Sequence, residues 1–261
     1  MSSNLQTLFN IINNYVGMVL LSMGFCFGAC GWFAFPLLAV LTAFGAYTGS
    51  LIVECYRTLE RGGETVPSYA KIGEQAFGSA GKWLVVASSI VETFFALVSM
   101  NIITWKNATL LMPAIRSRVV VGACILLSLP TNWLRNFSVL SFLSAFGLLC
   151  IVLICVVIGY ELTSTPLGAR GYEDEPREWL VMGGVPMATS IMLAGLTGHV
   201  SLPPMYAAMR QPSDFHATLG CSFALMLVLY GLVGVCGYAL YGEASSILIT
   251  EDMSRAAAGM I

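Results

Sequence analysis

The sequence predicts an all-α polytopic membrane protein, a helical bundle of about seven spans, on three observations. Hydrophobic residues make up 57% of the chain and charged residues only 10%. An average soluble domain has roughly 45–50% and 25%, so this chain has too little polar surface to cover a water-soluble fold. Its charges gather in short stretches between long apolar runs, and about 20 apolar residues in a helix cross a bilayer core. A closed barrel would need alternating segments of about ten residues, which do not occur.

The spans are expected at about residues 8–28, 32–56, 83–105, 119–133, 137–160, 185–209 and 217–241, within one transmembrane domain over 1–261. The first holds Asn10, Asn13 and Asn14, and the second follows a Gly-rich turn and contains Pro36. A polar stretch from Arg57 to Lys82 precedes the third span, whose one carboxylate is Glu92. The fourth is short and ends near Pro130, and the fifth covers Phe137 to Tyr160. An acidic loop with Glu173-Asp174-Glu175 follows and reads as a solvated connection. The sixth span is interrupted by Gly195, Gly198, Pro203 and Pro204, and the seventh leads into a polar tail.

The formal net charge of −2 and the lack of a basic stripe argue against a nucleic-acid partner. No Lys or Arg occurs in the first nine residues, so a signal peptide with a basic n-region is not expected. The eight cysteines sit in apolar runs without metal-ligand spacing and read as packing residues, so neither metal nor cofactor is expected. No nucleophile–base arrangement or phosphate loop marks an enzyme. Basic residues divide evenly between the two sides, leaving orientation open from composition. Two glycosylation sequons, at Asn107 and Asn136, are short enough to arise by chance.

The informative residues are those that do not belong in an inert span. Span 1 places Asn13 and Asn14 just before Gly17, Met18, Val19 and Leu20. Amides in hydrocarbon need partners, and glycine weakens a helix and allows close approach. Span 6 carries Gly195, Thr197, Gly198 and His199 ahead of the double proline. Neither stretch sustains a straight helix, and the freed backbone groups of half-helices hold ions and zwitterions in secondary transporters. The two interruptions lie five spans apart, as in transporters built from two inverted five-helix repeats. Asn13, Gly17, Met18, Val19, Leu20, Gly195, Thr197, Gly198 and His199 are therefore the candidate substrate- and ion-binding residues. His199 and Glu92 are candidates for proton coupling, and Asn13 and Gly17 for sodium. Interhelical packing, a backbone-bonded neutral histidine and a structural carboxylate are the competing readings.

These residues resemble the amino acid/auxin permease family, in its branch of vesicular inhibitory amino acid transporters. Span 1 is similar to the family pattern at Asn13, Gly17, Leu21 and Ser22, but has Gly24 in place of the usual proline and Val19 in place of the usual glycine. Gly49, Glu54-Cys55, Ser68-Tyr69, Ala76-Phe77-Gly78, Leu134-Arg135-Asn136 and Ser141 also fit. So does the run from Gly198-His199-Val200 through Pro203, Tyr206, Met209, Pro212 and Phe215. Glu92, Gly237-Tyr238 and Tyr241-Gly242 complete the resemblance.

The resemblance implies a leucine-transporter-like fold of the APC superfamily, with the first five-helix repeat and the start of the second. It implies a cytosolic N-terminus, an amino acid substrate held between spans 1 and 6, and symport or antiport with protons or sodium. Family members have about ten or eleven spans in two repeats, so seven spans lead to the expectation of a partial transporter. Vacuolar, vesicular and plasma membranes all fit. The rival expectation is an amino acid sensor or seven-span receptor that binds without transporting.

Overall fold

The computed structural model describes residues 2–63, 68–131, 137–164 and 177–257. Glu173-Asp174-Glu175 and Leu134-Arg135-Asn136 lie outside the described residues. Ten helices account for nearly all of the described backbone: α1 (Asn4–Tyr15), α2 (Met23–Cys30), α3 (Ala34–Arg61), α4 (Tyr69–Leu111), α5 (Ser117–Thr131), α6 (Phe137–Ser164), α7 (Val185–Gly195), α8 (Leu202–Ala207), α9 (Phe215–Tyr241) and α10 (Ile249–Ala257). Extended pairing among the described residues is limited to one isolated bridge between Ser2 and Met209.

Local chemistry sets the ends of these helices. Ser3 and Gln6 form a reciprocal capping box at the start of α1, satisfying two amides with no partner inside the helix. Ser68 caps α4 through the Lys71 amide. Gly31, at φ +74°, turns the chain between α2 and α3 in a backbone conformation that side chains disfavour. The turn is clamped by an extended segment: the Trp32 and Phe33 amides donate to the Glu178 and Trp179 carbonyls at 3.1 and 2.9 Å. α4 is interrupted at Phe77–Gly78, where Gly78 reaches φ +65°, so the polar Tyr69–Ala76 turns and the apolar stretch are two helices joined at a kink.

Four helical stretches among the described residues are long and apolar enough to cross a membrane: Val19–Arg61, Tyr69–Leu111, Met182–Ala207 and Pro212–Ala244. Ser117–Leu129 and Leu149–Thr163 are shorter apolar helices. α9 is the centre of the bundle, packing on α1, α2, α3 and α6. Phe215, Phe223, Tyr230 and Tyr238 are buried along it. The periphery is the opposite: Phe94 and Phe95 on α4, Leu126 on α5 and Val156 on α6 are exposed. Such an apolar exterior is the lipid-facing surface of a multi-pass membrane protein.

Candidate functional site

Two interruptions of helical backbone face each other beside α9. The first separates α1 from α2. Val16 leaves the helix with φ −81° and ψ 91°, Gly17 follows at φ −125° and ψ −132°, and Met18–Ser22 form a 3-10 turn. The second separates α7 from α8. Leu196 and Thr197 leave the helix, Gly198 adopts φ +142°, and His199–Ser201 form another 3-10 turn. The double proline does not cause this break. Pro203 and Pro204 occupy the first turn of α8, where a missing amide hydrogen costs no helical bond.

Three side chains stitch the breaks together. Asn14 reaches across from α1, its amide 3.5 Å from the Gly198 carbonyl and its oxygen accepting from the Ser201 hydroxyl at 3.2 Å. Tyr15 covers Gly198, and its ring meets His199 edge-on at 6.0 Å and Phe223 at 5.2 Å. Its hydroxyl is buried with no hydrogen-bond partner among the described residues. Tyr230 of α9 donates to the carbonyls of Tyr15 (2.9 Å) and Gly195 (3.3 Å), the last residues of α1 and α7. The fit is close. A Cβ on Gly198 would lie 2.8 Å from the Asn14 amide nitrogen, and one on Gly195 would lie 2.6 Å from Val19.

His199 is held from α3. Its Nε2 lies 3.1 Å from the Gly45 carbonyl and 3.0 Å from the Thr48 hydroxyl. The Thr48 proton is directed at the Phe44 and Gly45 carbonyls, so Thr48 faces the ring as an acceptor. This network assigns the Nε2–H tautomer and leaves Nδ1 as the accepting nitrogen of the neutral ring. Gly49, one turn along, lets α3 approach, its virtual Cβ 3.7 Å from the imidazole. A cavity of about 290 Å³ opens beside the ring, lined by Thr48, Ser88, Ser89, Glu92, Thr197 and His199 among others. Glu92, the exposed carboxylate of span 3, and His199, the histidine of span 6, thus line the same cavity.

The other expected site residues are placed as follows. Val19 packs on Gly195, and Leu20 is buried. Gly17 is exposed, with the Met100 methyl 3.7 Å from its virtual Cβ. Thr197 is exposed and its hydroxyl donates back to the Ala194 carbonyl. The Met18 side chain lies outside the described residues. Asn13 adjoins α6, its oxygen 2.6 Å from a virtual Cβ at Gly147. Its neighbour Asn14 is the asparagine that meets Gly198, because consecutive helical residues sit about 100° apart. Sequence reasoning also missed Tyr230 and Thr48. Neither hydroxyl is marked by its neighbours in the sequence, and Thr48 stands between Tyr47 and Ser50, so no signal separates it until the facing helix is placed.

Comparison with known proteins gives one consistent result. The model of the family described as transmembrane amino acid transporter protein matches residues 1–258. The amino acid transporter AVT1D of Arabidopsis thaliana is 28% identical over 263 residues, covering 96% of this chain and 46% of the relative. The amino acid transporter AVT1H of the same plant is 28% identical, covering 97% and 59%. The amino acid transporter AVT1E is 29% identical, covering 95% and 48%. The chain spans about half the length of the curated relatives it matches. No solved structure matches it.

Proposed function

The chain belongs to the transmembrane amino acid transporter family, and on that premise we propose that it takes part in secondary active transport of amino acids, with substrate held between the two helix breaks. The observation that carries this reading is the pairing of those breaks beside α9, with Asn14 and Tyr230 spanning them. A zwitterion needs donors for its carboxylate and acceptors for its ammonium. The amides of Gly17, Met18 and Val19 precede the first closing bond of their turn, from the Leu20 amide to the Gly17 carbonyl, and supply the donors. The carbonyls where α7 ends, at the negative end of a half-helix, each have a second lone pair to offer the ammonium beside the bonds from Thr197 and Tyr230. In this reading the fold is leucine-transporter-like, one five-helix repeat and the start of a second, and alternating access comes from a bundle of spans 1, 2, 6 and 7 rocking against the remainder.

The coupling ion in this reading is a proton carried by Glu92 and His199, which line the same cavity. Uptake of labelled amino acids by the full chain in proteoliposomes tests both parts. Gly17→Leu and Gly198→Leu should each abolish uptake by filling the breaks, and uptake that survives both refutes the site. Glu92→Gln should leave uptake that no longer follows an imposed pH gradient. Binding without flux in the unaltered protein would mark a sensor instead.

A further inference from the structure

We infer that the Tyr230 hydroxyl is a positioning group that stands in for a bridging cation between the two breaks, tying α1 to α7 with a proton where a transporter of this design could use sodium. The inference rests on the transport reading and concerns the same site. Tyr15 and Gly195 end α1 and α7, so their carbonyls lie at the negative ends of two half-helices. Paired half-helix carbonyls of this kind coordinate sodium in other transporters. Here both carbonyls converge on one point, and that point is the Tyr230 oxygen, at 2.9 and 3.3 Å.

The surroundings favour a neutral donor over an ion. Tyr230 is fully buried. The isopropyl group of Val19 packs against Gly195 on one side, and the position where a Gly195 Cβ would stand is already 3.1 Å from the phenol oxygen. A cation here would bring a charge into a fully buried spot, whereas one shared O–H serves both carbonyls without importing charge. Because the phenol belongs to α9, the bond also sets the distance between the two breaks and hence the width of the proposed substrate gap.

The test compares sodium responses. The purified full chain and Tyr230→Phe are melted in sodium chloride and in choline chloride at equal ionic strength, with uptake measured in parallel. Phenylalanine keeps the ring and removes only the donor, leaving two buried carbonyls unpaired. Tyr230→Phe is expected to take up substrate at least about tenfold more slowly. It is also expected to gain a sodium-dependent stabilisation of about 2–4 °C that the unaltered protein does not show. Equal sodium responses in the two proteins overturn the inference. A sodium response that is larger in the unaltered protein also overturns it, since the phenol would then be a cation ligand. If Tyr230→Phe is not recovered folded, Tyr230→Met, also apolar and donor-free, supplies the same comparison. An unaltered protein that moves no amino acid refutes the transport reading and leaves the melting comparison intact.

Discussion

Gly24 of α2 and Gly237 of α9 meet backbone to backbone: a Cβ added to Gly237 would lie 2.8 Å from the Gly24 Cα, and one added to Gly24 would lie 3.4 Å from the Gly237 Cα. Small residues let membrane helices approach this closely, so that van der Waals contact between backbones replaces the missing hydrophobic drive. The two substitutions should differ in cost. Gly237→Ala meets backbone that cannot move aside, whereas Gly24→Ala first meets the Ser245 hydroxyl at 3.1 Å. Overpacking of this kind costs about 1–3 kcal/mol. Thermal unfolding in detergent should show Gly237→Ala as the less stable variant, and the reverse order would contradict this packing.

The same contact bears on what the sequence could disclose. Gly24 stood out as a glycine that permits close backbone approach and as a departure from the family pattern; that the approach is the crossing with α9 is visible only once residues 213 positions apart are placed together. The helix breaks were legible because glycine weakens helices wherever they lie. The prolines were misjudged as breakers, since their effect depends on register, and here they begin α8. Glu54, Tyr206 and Pro212 were marked only by resemblance, and the fold brings all three to Arg57. Tyr230 and Thr48 were not legible, because a hydroxyl in an apolar run shows no partner until the facing helix is known.

Asn14 rather than Asn13 should be the sensitive position for communication between the breaks. Asn14→Ala removes the contacts to the Gly198 carbonyl and the Ser201 hydroxyl. The Gly198 contact is long at 3.5 Å, so the loss in stability should be small, about 0.5–1.5 kcal/mol. The effect on geometry is larger, because Asn14 is the residue over which Gly198 adopts its positive φ. Uptake by Asn14→Ala should fall about tenfold with little change in melting temperature. An Asn14→Ala protein with full uptake would show that this bridge does not shape the site.

Arg57 should be the strongest polar tie at its end of the bundle. Its guanidinium donates to Glu54 (2.8 Å), the Tyr206 hydroxyl (3.1 Å) and the Pro212 carbonyl (2.9 Å), joining α3 to α8 and the connection into α9. His216 approaches the same Glu54 oxygen at 2.7 Å. A lysine is a compact point charge and cannot reproduce that three-way fork. Arg57→Lys should cost about 1–2 kcal/mol, read as a melting temperature lower by about 2–6 °C. The Glu54 side chain is 50% exposed, so water screens its share. Glu54→Gln should cost less than half as much, and equal losses would show that the ion pair dominates.

The Asn107-Ala108-Thr109 sequon should carry no glycan. All three residues lie in the last turns of α4, so the segment is helical rather than an open loop. The Asn107 amide that a sugar would occupy donates to the Ile103 carbonyl at 3.0 Å, and its oxygen accepts from the Thr250 hydroxyl at 2.8 Å. Thr109 donates to the Trp105 and Lys106 carbonyls. The Thr250 bond, with the neighbouring Lys106–Glu251 pair at 2.8 Å, docks α10 on the end of α4. A glycan on Asn107 would displace α10 from that surface. Endoglycosidase treatment of the Asn136→Gln protein, which keeps only this sequon, expressed in a glycosylating host should leave its mobility on a gel unchanged. Asn107→Ala should lower stability by about 1 kcal/mol through loss of the Thr250 bond. A mobility shift that disappears in Asn107→Ala would mean that α10 does not rest on α4 in the membrane.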